Sequence, residues 1–510
     1  MMVYDGEAVP ESLDLTCPDK EVNHSAAERK KDMAQPTTIH SSVPLDPRGQ
    51  GPDAPWHLKE SRAPVFDEVT ILSDQLEVKG SIPPELNGRY CRNTANPQTG
   101  WTEHWFIGDG MLHGIELKDG KASWYRNRYV RTPQYENPGA DRLELALNKE
   151  TFTFDHSVSA ANTHVIRHAG RILALEEGAF PYEVTRELDT VGPHTFENVL
   201  TGPFTAHPKI CPDTGEMLAF GYAQLEPYLT YYRVDQNGNM VQKTPISVTG
   251  PTMMHDMAAT RHHSIFMDLP AIFDFELAMK GGMPIRWSDE YPARFGVMPR
   301  AGADEDVQWF DVEPGYCFHT LNAFDEGDET VVYGMRVPEI WRDSSAMDMT
   351  MSVDPASSPR LYEWRFNRQT GGVAERYLDD DSSEFPRIPD SKQGHDFRYG
   401  YSLGTSGTSH SDSGGMGSAV FKYDLAKGGS KEVHAFPAGH EPGESVFVPA
   451  ENGSSEDDGY LMTYVWKPDT DTSYLVILDA SNLAADPIAE VHIPRRVVSG
   501  FHSSWIPDER

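Results

Sequence analysis

Four histidines in this chain stand where an imidazole could bind a metal. His255 lies in residues 253–270 (MMHDMAATRHHSIFMDLP), beside Asp256 and ahead of the apolar run Ser264-Ile265-Phe266-Met267, which reads as a buried strand ending at Pro270. His207 sits in Thr205-Ala206-His207-Pro208-Lys209, just before the turn Pro212-Asp213-Thr214-Gly215. His319 is embedded in residues 315–323 (GYCFHTLNA), and His502 in residues 500–505 (GFHSSW). Each is flanked by small or aromatic residues at a strand boundary. One such histidine alone reads as a satisfied core or loop residue. Four together admit a second reading, a shared metal ion. Their spread over about three hundred residues excludes a local zinc finger, whose ligands pair at short spacing. A closed β array, by contrast, can bring remote strand ends to a common axis. Imidazole suits Zn, Cu, Fe and Ni, so the count does not name the metal.

The elements that must position these side chains read as β almost throughout. Short alternating or apolar runs recur at residues 123–130, 163–166, 171–175, 217–223, 230–234, 330–335, 361–366, 419–423, 445–448, 460–466 and 473–478. Turn signals such as Asp119-Gly120, Asn237-Gly238, Gly371-Gly372 and Asn452-Gly453 separate them. Many short strands with few helical patterns indicate an all-β sandwich, barrel or propeller, and the length favours a propeller, although no clean repeat near forty to fifty residues is visible. Residues 271–280 (AIFDFELAMK) predict a helix stopping at Gly281-Gly282, either a lid over an entrance or a packing helix. Residues 402–417, rich in Gly and Ser, predict a flexible loop with His410 solvated. Residues 1–55 are poor in large apolar side chains and predict a disordered tail before a single domain over 56–510, with order beginning near Ala63-Pro64-Val65-Phe66.

Composition narrows the function. Lys+Arg 44 against Asp+Glu 78 gives a formal charge of −34, which argues against nucleic acid and against electrostatic attraction to anionic lipid. Cys17, Cys91, Cys211 and Cys317 show no CxxC pairing and suit a reducing cytoplasm. The N-terminal residues lack the basic and apolar regions of a secretory signal, and nowhere do eighteen apolar residues run together. Oligomeric state is left open by these features.

Several blocks, taken jointly and in order, carry a family resemblance from about Val65 to Pro507. They are residues 80–93 (GSIPPELNGRYCRN), 104–111 (HWFIGDGM), 126–132 (RNRYVRT), Asn162-Thr163-His164, 173–178 (LALEEG), the four histidine blocks, 384–388 (EFPRI) and 443–449 (GESVFVP). The chain resembles the carotenoid cleavage oxygenases, a family that includes stilbene-cleaving dioxygenases and a retinoid isomerase. The resemblance implies a seven-bladed β-propeller with a helical and loop cap over its top face. It implies one Fe(II) on the axis, held by His207, His255, His319 and His502, with Glu177, Glu384 and Glu444 hydrogen-bonded to three of the imidazoles. A carboxylate on the far ring nitrogen fixes the neutral tautomer that a ligand needs. Of the adjacent pair, Glu177 is chosen because the family's glutamate directly precedes the glycine of the turn. Glu176 then departs from the family pattern, which is often apolar in carotenoid cleavers and lysine in stilbene cleavers. Thr163 matches the residue whose methyl shields one coordination position. Trp105, Phe106 and Phe318 become candidates for the wall of a substrate tunnel.

The implied reaction is scission by O₂ of one double bond of an apolar alkene, a carotenoid or apocarotenoid, to two carbonyl products, with no organic cofactor. A stilbenoid or phenylpropene is the alternative substrate. Two readings from other classes are an isomerase or hydrolase on the same fold and a propeller that only binds, with structural histidines. The resemblance also implies weak peripheral membrane contact, made through apolar side chains at the tunnel mouth.

Overall fold

Seven antiparallel sheets follow one another as blades, and both ends of the described chain are needed to complete the set. The computed structural model describes residues 37–508 apart from 152, 280–283, 343–357 and 405–416. The first blade joins Gly88–Ala95, Gly110–Lys118, Lys121–Tyr129 and Glu68–Leu72 to the C-terminal strand Ser503–Pro507, which pairs antiparallel with Gly88–Ala95. The seventh blade takes Glu77–Gly80 as its outer strand, paired with Ala489–Ile493. An early segment thus closes the last blade and the last segment closes the first. Backbone pairing at both seams fastens the two ends of the described chain into the ring.

Blades two to six are four-stranded and begin at His164–His168, Lys209–Ile210, Ala258–Ala259, Tyr316–Glu326 and Ser383–Arg387. The innermost strands of blades one and two, four and five, and five and six lie against one another, as strands lining an axis do. Burial follows this position. Gly88–Ala95 is buried at every residue, whereas Met240–Ile246, the outer strand of blade three, alternates half-buried and exposed. Strands covered on both faces lose the period-two pattern that an outer strand keeps. Asp119 and Gly120 both take positive φ, 49° and 72°, in the two-residue turn joining Lys118 to Lys121. That is the primed hairpin geometry expected of an Asp-Gly pair.

Every β run read from the sequence overlaps a strand, and the seven-bladed all-β expectation holds. Three local expectations change. Residues 271–280 are not one helix: Ala271–Phe273 is a strand paired with Ile285–Trp287, and only the turn Phe275–Met279 is helical. Asp274 explains the break, since its Oδ1 accepts from the Glu276 and Leu277 amides and starts the helix there. Lys280 and the Gly281-Gly282 stop lie outside the described residues. Ser402 is in a strand, Tyr399–Gly404, paired with Phe421; His410 lies outside the described residues. Finally, residues 37–55 of the expected tail are structured: Thr37–Ile39 pairs with Glu68–Leu72, and the Asp46 amide donates to the Thr99 carbonyl. Neighbouring sheet supplied the partners that this polar segment lacks by itself; residues 1–36 lie outside the described residues.

The cap is built from insertions between blade strands. Its described parts are the one-turn helices Pro133–Glu136, Arg142–Ala146 and Phe275–Met279, and two small ribbons, Leu147–Asn148 with Thr153–Phe154 and Ala271–Phe273 with Ile285–Trp287. Among the described residues no helix is long and apolar enough to cross a membrane. Cys91, Cys211 and Cys317 are buried and free, while Cys17 lies outside the described residues.

Candidate metal centre

Each blade contributes one residue to a cluster around the axis. Blades one, three, four and five supply His502, His207, His255 and His319; blades two, six and seven supply Glu177, Glu384 and Glu444. His502 directly precedes the strand Ser503–Pro507, His207 and His255 lie just ahead of Lys209–Ile210 and Ala258–Ala259, and His319 lies within Tyr316–Glu326. Backbone bonds lock these positions. The His502 amide donates to the Thr163 carbonyl at 3.1 Å and its carbonyl accepts from the Asn93 amide at 3.0 Å. Asp256, the acid beside His255, accepts from the Thr320 amide and hydroxyl at 2.8 Å and pairs with Lys209 at 2.8 Å. It ties together the segments that carry His207, His255 and His319.

One ring nitrogen of each of the four histidines lies within 4.8 Å of the others, and all four residues are buried. His207 Nε2 is 3.0 Å from His255 Nε2, which is 3.2 Å from His319 Nε2. On the far side of the rings, His255 Nδ1 meets Glu177 Oε2 at 2.7 Å, His319 Nδ1 meets Glu384 Oε2 at 2.6 Å, and His502 Nδ1 meets Glu444 Oε1 at 3.0 Å. An ionised carboxylate only accepts, so each of these Nδ1 atoms is the donor. With Nδ1 donating, the Nε2 atoms of His255 and His319 face each other across 3.2 Å, where a shared cation would accept a lone pair from each.

The spacing is informative about that cation. Two nitrogens about 2.1 Å from an ion lie about 3.0 Å apart at a right angle and about 3.4 Å apart at the tetrahedral angle. The observed 3.0 and 3.2 Å lie within that span, so one ion could be reached from all three nitrogens. The donor set fits a first-row transition ion.

Electrostatics keeps the nitrogens of His207 and His502 available. Burial, then the adjacent imidazoles, hold His207 and His502 well below the ordinary histidine pKa. For His319 burial pulls down, but the Glu384 carboxylate outweighs it and the net direction is up. Glu444 also accepts from the Ser503 amide at 2.7 Å and faces the half-buried Arg387 Nη1 at 3.4 Å.

A cavity of about 600 Å³ opens from one side of the cluster, within the usual range for small-molecule sites. Trp105, Phe106 and Phe318 line it as expected, joined by Phe385, Phe501 and Trp341. Thr163 lines it too, with its hydroxyl turned to Asn162 Oδ1 at 2.9 Å. Glu176 and Glu177 part as expected: Glu177 goes to His255, while Glu176 is buried in the cavity wall, paired with Arg142 and accepting from the Ala160 amide at 3.2 Å.

Three residues were missed by reading the sequence. His164 packs 5.2 Å from the His502 ring, yet its Nδ1 is bonded to the Ala206 carbonyl at 2.9 Å and its Nε2 faces the Ser504 hydroxyl at 3.3 Å, so it is no ligand. Burial brings its pKa to about 3. Arg142 and Arg387 had no local signal, because each meets its carboxylate across at least 34 residues of chain.

A propeller whose axis carries four convergent imidazoles, three of them braced by carboxylates, beside an apolar cavity defines a metal-dependent oxygenase. Residues 62–507 match the family model described as Retinal pigment epithelial membrane protein (RPE65). The chain is 37% identical over 500 residues to a carotenoid cleavage oxygenase of Mycobacterium tuberculosis, covering 88% of this chain and 97% of that one. It is 35% identical over 503 residues to a carotenoid 9,10(9',10')-cleavage dioxygenase of Crocus sativus, covering 89% of each. Among solved structures, the lignostilbene dioxygenase of Pseudomonas brassicacearum superposes with a TM-score of 0.77 at 28% identity, over 92% of this chain and all of that one. The chain belongs to the carotenoid cleavage oxygenase family and is an enzyme of that type.

Proposed function

We propose that this enzyme is an Fe(II)-dependent dioxygenase that cleaves one C=C bond of a carotenoid or apocarotenoid with O₂, giving two carbonyl products. The observation that carries this reading is the meeting of four imidazole nitrogens with a large aromatic-lined cavity at one point. His207, His255, His319 and His502 would hold the ion, with Glu177, Glu384 and Glu444 fixing three of the tautomers. When bound, Fe(II) supplies the unpaired electrons that let triplet O₂ react with a closed-shell alkene. Alkene plus O₂ already contains the atoms and electrons of two carbonyls, so no reductant or organic cofactor is required.

The protein's part is positioning and exclusion. Phe318 packs edge-on against His255 at 5.5 Å between ring centroids, and Phe385 stacks on His319 at 5.3 Å, so an apolar chain beside them meets the cluster without water between. Thr163, its hydroxyl held by Asn162, would turn its methyl toward the ion and shield it on that side. Which bond breaks is then set by how far the substrate advances past the cluster.

A stilbenoid substrate is the second reading, favoured by the likeness to the lignostilbene dioxygenase. Against it, Glu176 places a carboxylate neutralised by Arg142 where a phenol-gripping lysine would stand. Exposed apolar residues also support membrane contact at the cavity: Ile107, Phe154 and Leu225 line it, and Phe275 packs on Phe273 of its wall. Anaerobic reconstitution with Fe(II), then O₂ and product mass analysis over apocarotenoids and stilbenes, tests both substrates. Paired carbonyls from the polyenes support the first reading; carbonyls from stilbenes alone overturn it, and a single isomerised product overturns scission.

A further inference from the structure

The cluster has a second face, which is less apolar than the first. A cavity of about 590 Å³ meets His207, His319 and His502 on that side, sharing His319 and His502 with the apolar cavity. Its inner wall carries Asp256, Glu444, His164 and Ser504; its outer rim is made of exposed turn residues, including Gly170, Pro212, Gln236 and Asp390. Asp390 is 84% exposed and lies 3.7 Å from Arg387, which in turn faces Glu444 beside His502. Charged and polar groups of both signs, among them Asp390, Arg387, Lys209 and Asp256, therefore run from surface to ligands on this face, while aromatic rings dominate the other.

We infer that the polar cavity is the route by which the metal ion reaches the histidines, leaving the apolar cavity to the organic substrate. A hydrated dication cannot shed its water into a wall of Phe and Trp without a prohibitive loss of solvation. Along the polar wall, the carboxylate of Asp390 and the Ser504 hydroxyl offer oxygen atoms that replace hydration water in steps. A chain of formal charge −34 draws cations to its surface, and the exposed carboxylate of Asp390 continues that attraction to the rim. Separate entrances also allow reloading while substrate fills its own cavity. The inference rests on the metal reading of the cluster and adds a direction of entry.

The test follows metal uptake rather than turnover. Apoprotein prepared with a chelator is mixed anaerobically with Co(II), and the rise of its ligand-field absorbance is timed. Asp390→Lys should slow association several-fold at low ionic strength, with the difference shrinking in high salt. Ser504→Phe, which narrows the passage, should slow it in both. Leu225→Trp, in the wall of the apolar cavity, should load at the wild-type rate while consuming substrate more slowly. Asp390→Lys should reach the same final metal content as wild type. Wild-type loading rates in both polar-cavity variants, or slowed loading in Leu225→Trp, overturn the route and leave the metal reading standing. No Co(II) uptake by the wild-type protein overturns both.

Discussion

A neutral imidazole has one lone pair, and the carboxylate on the opposite nitrogen decides where it points. His255 depends on this twice, through Glu177 at 2.7 Å and through its two close nitrogen neighbours. His255→Ala should abolish iron binding and activity while the protein stays folded, since the segment is held by Asp256 and not by the ring. Metal analysis beside circular dichroism checks this; full activity in the variant would remove the metal model. Glu444→Gln keeps the shape but lets the amide offer an NH₂ to His502, so iron retention should weaken about 10–100-fold, read by competition with a chelator. Unchanged affinity would strip Glu444 of its role. At this scale the four histidines stood out because each lies beside small or aromatic residues at a strand boundary. The glutamates became candidates only through the resemblance, because an isolated carboxylate reads as solvated surface. His164 shows the converse: histidine type and burial resemble a ligand's, and only its bonds to Ala206 and Ser504 distinguish it.

Strands were readable from alternation and turn chemistry, but the irregularities that aim the site were not. Pairing of Tyr316–Glu326 slips on either side of Thr320, next to His319, and pairing of Ser383–Arg387 slips just after Glu384, where Phe385 takes a positive φ of 53°. Register shifts of this kind re-aim side chains beside functional sites, and the strain at Phe385 places its ring on His319. No residue type marks them in advance. Close approach is equally silent. A Cβ on Gly110 would stand 2.3 Å from the Ala161 carbonyl oxygen, where Ala161 itself holds φ 46° on the way to Thr163. Gly110→Ala should therefore cost about 1–3 kcal/mol, seen as a lower denaturant midpoint at unchanged slope. It should also reduce turnover, because the displaced segment carries Thr163. Wild-type stability would mean that the two blades have more room than these distances allow.

Around the ring, chain closure and metal binding do the same kind of work. Strand pairing seals the seams between Ser503–Pro507 and Gly88–Ala95 and between Glu77–Gly80 and Ala489–Ile493. The presence of many strands in a chain this long pointed to a propeller, but neither seam was legible, because each pairs residues roughly four hundred positions apart. An ion held by His502, His207, His255 and His319 would add a fastening across blades one, three, four and five, available only when all four blades are in place. Such a ligand binds the folded state alone, so at a free concentration about a hundred times its dissociation constant it adds about 2.7 kcal/mol. With an unfolding entropy near 2.1 cal/mol/K per residue, a chain of this length gains about 3 °C in melting midpoint from that increment. Thermal scans of the apoprotein with and without Fe(II) under nitrogen should show this rise in the wild-type protein and none in His255→Ala. Coincident melts of loaded and metal-free wild type would mean that the four blades meet at the axis without being joined there.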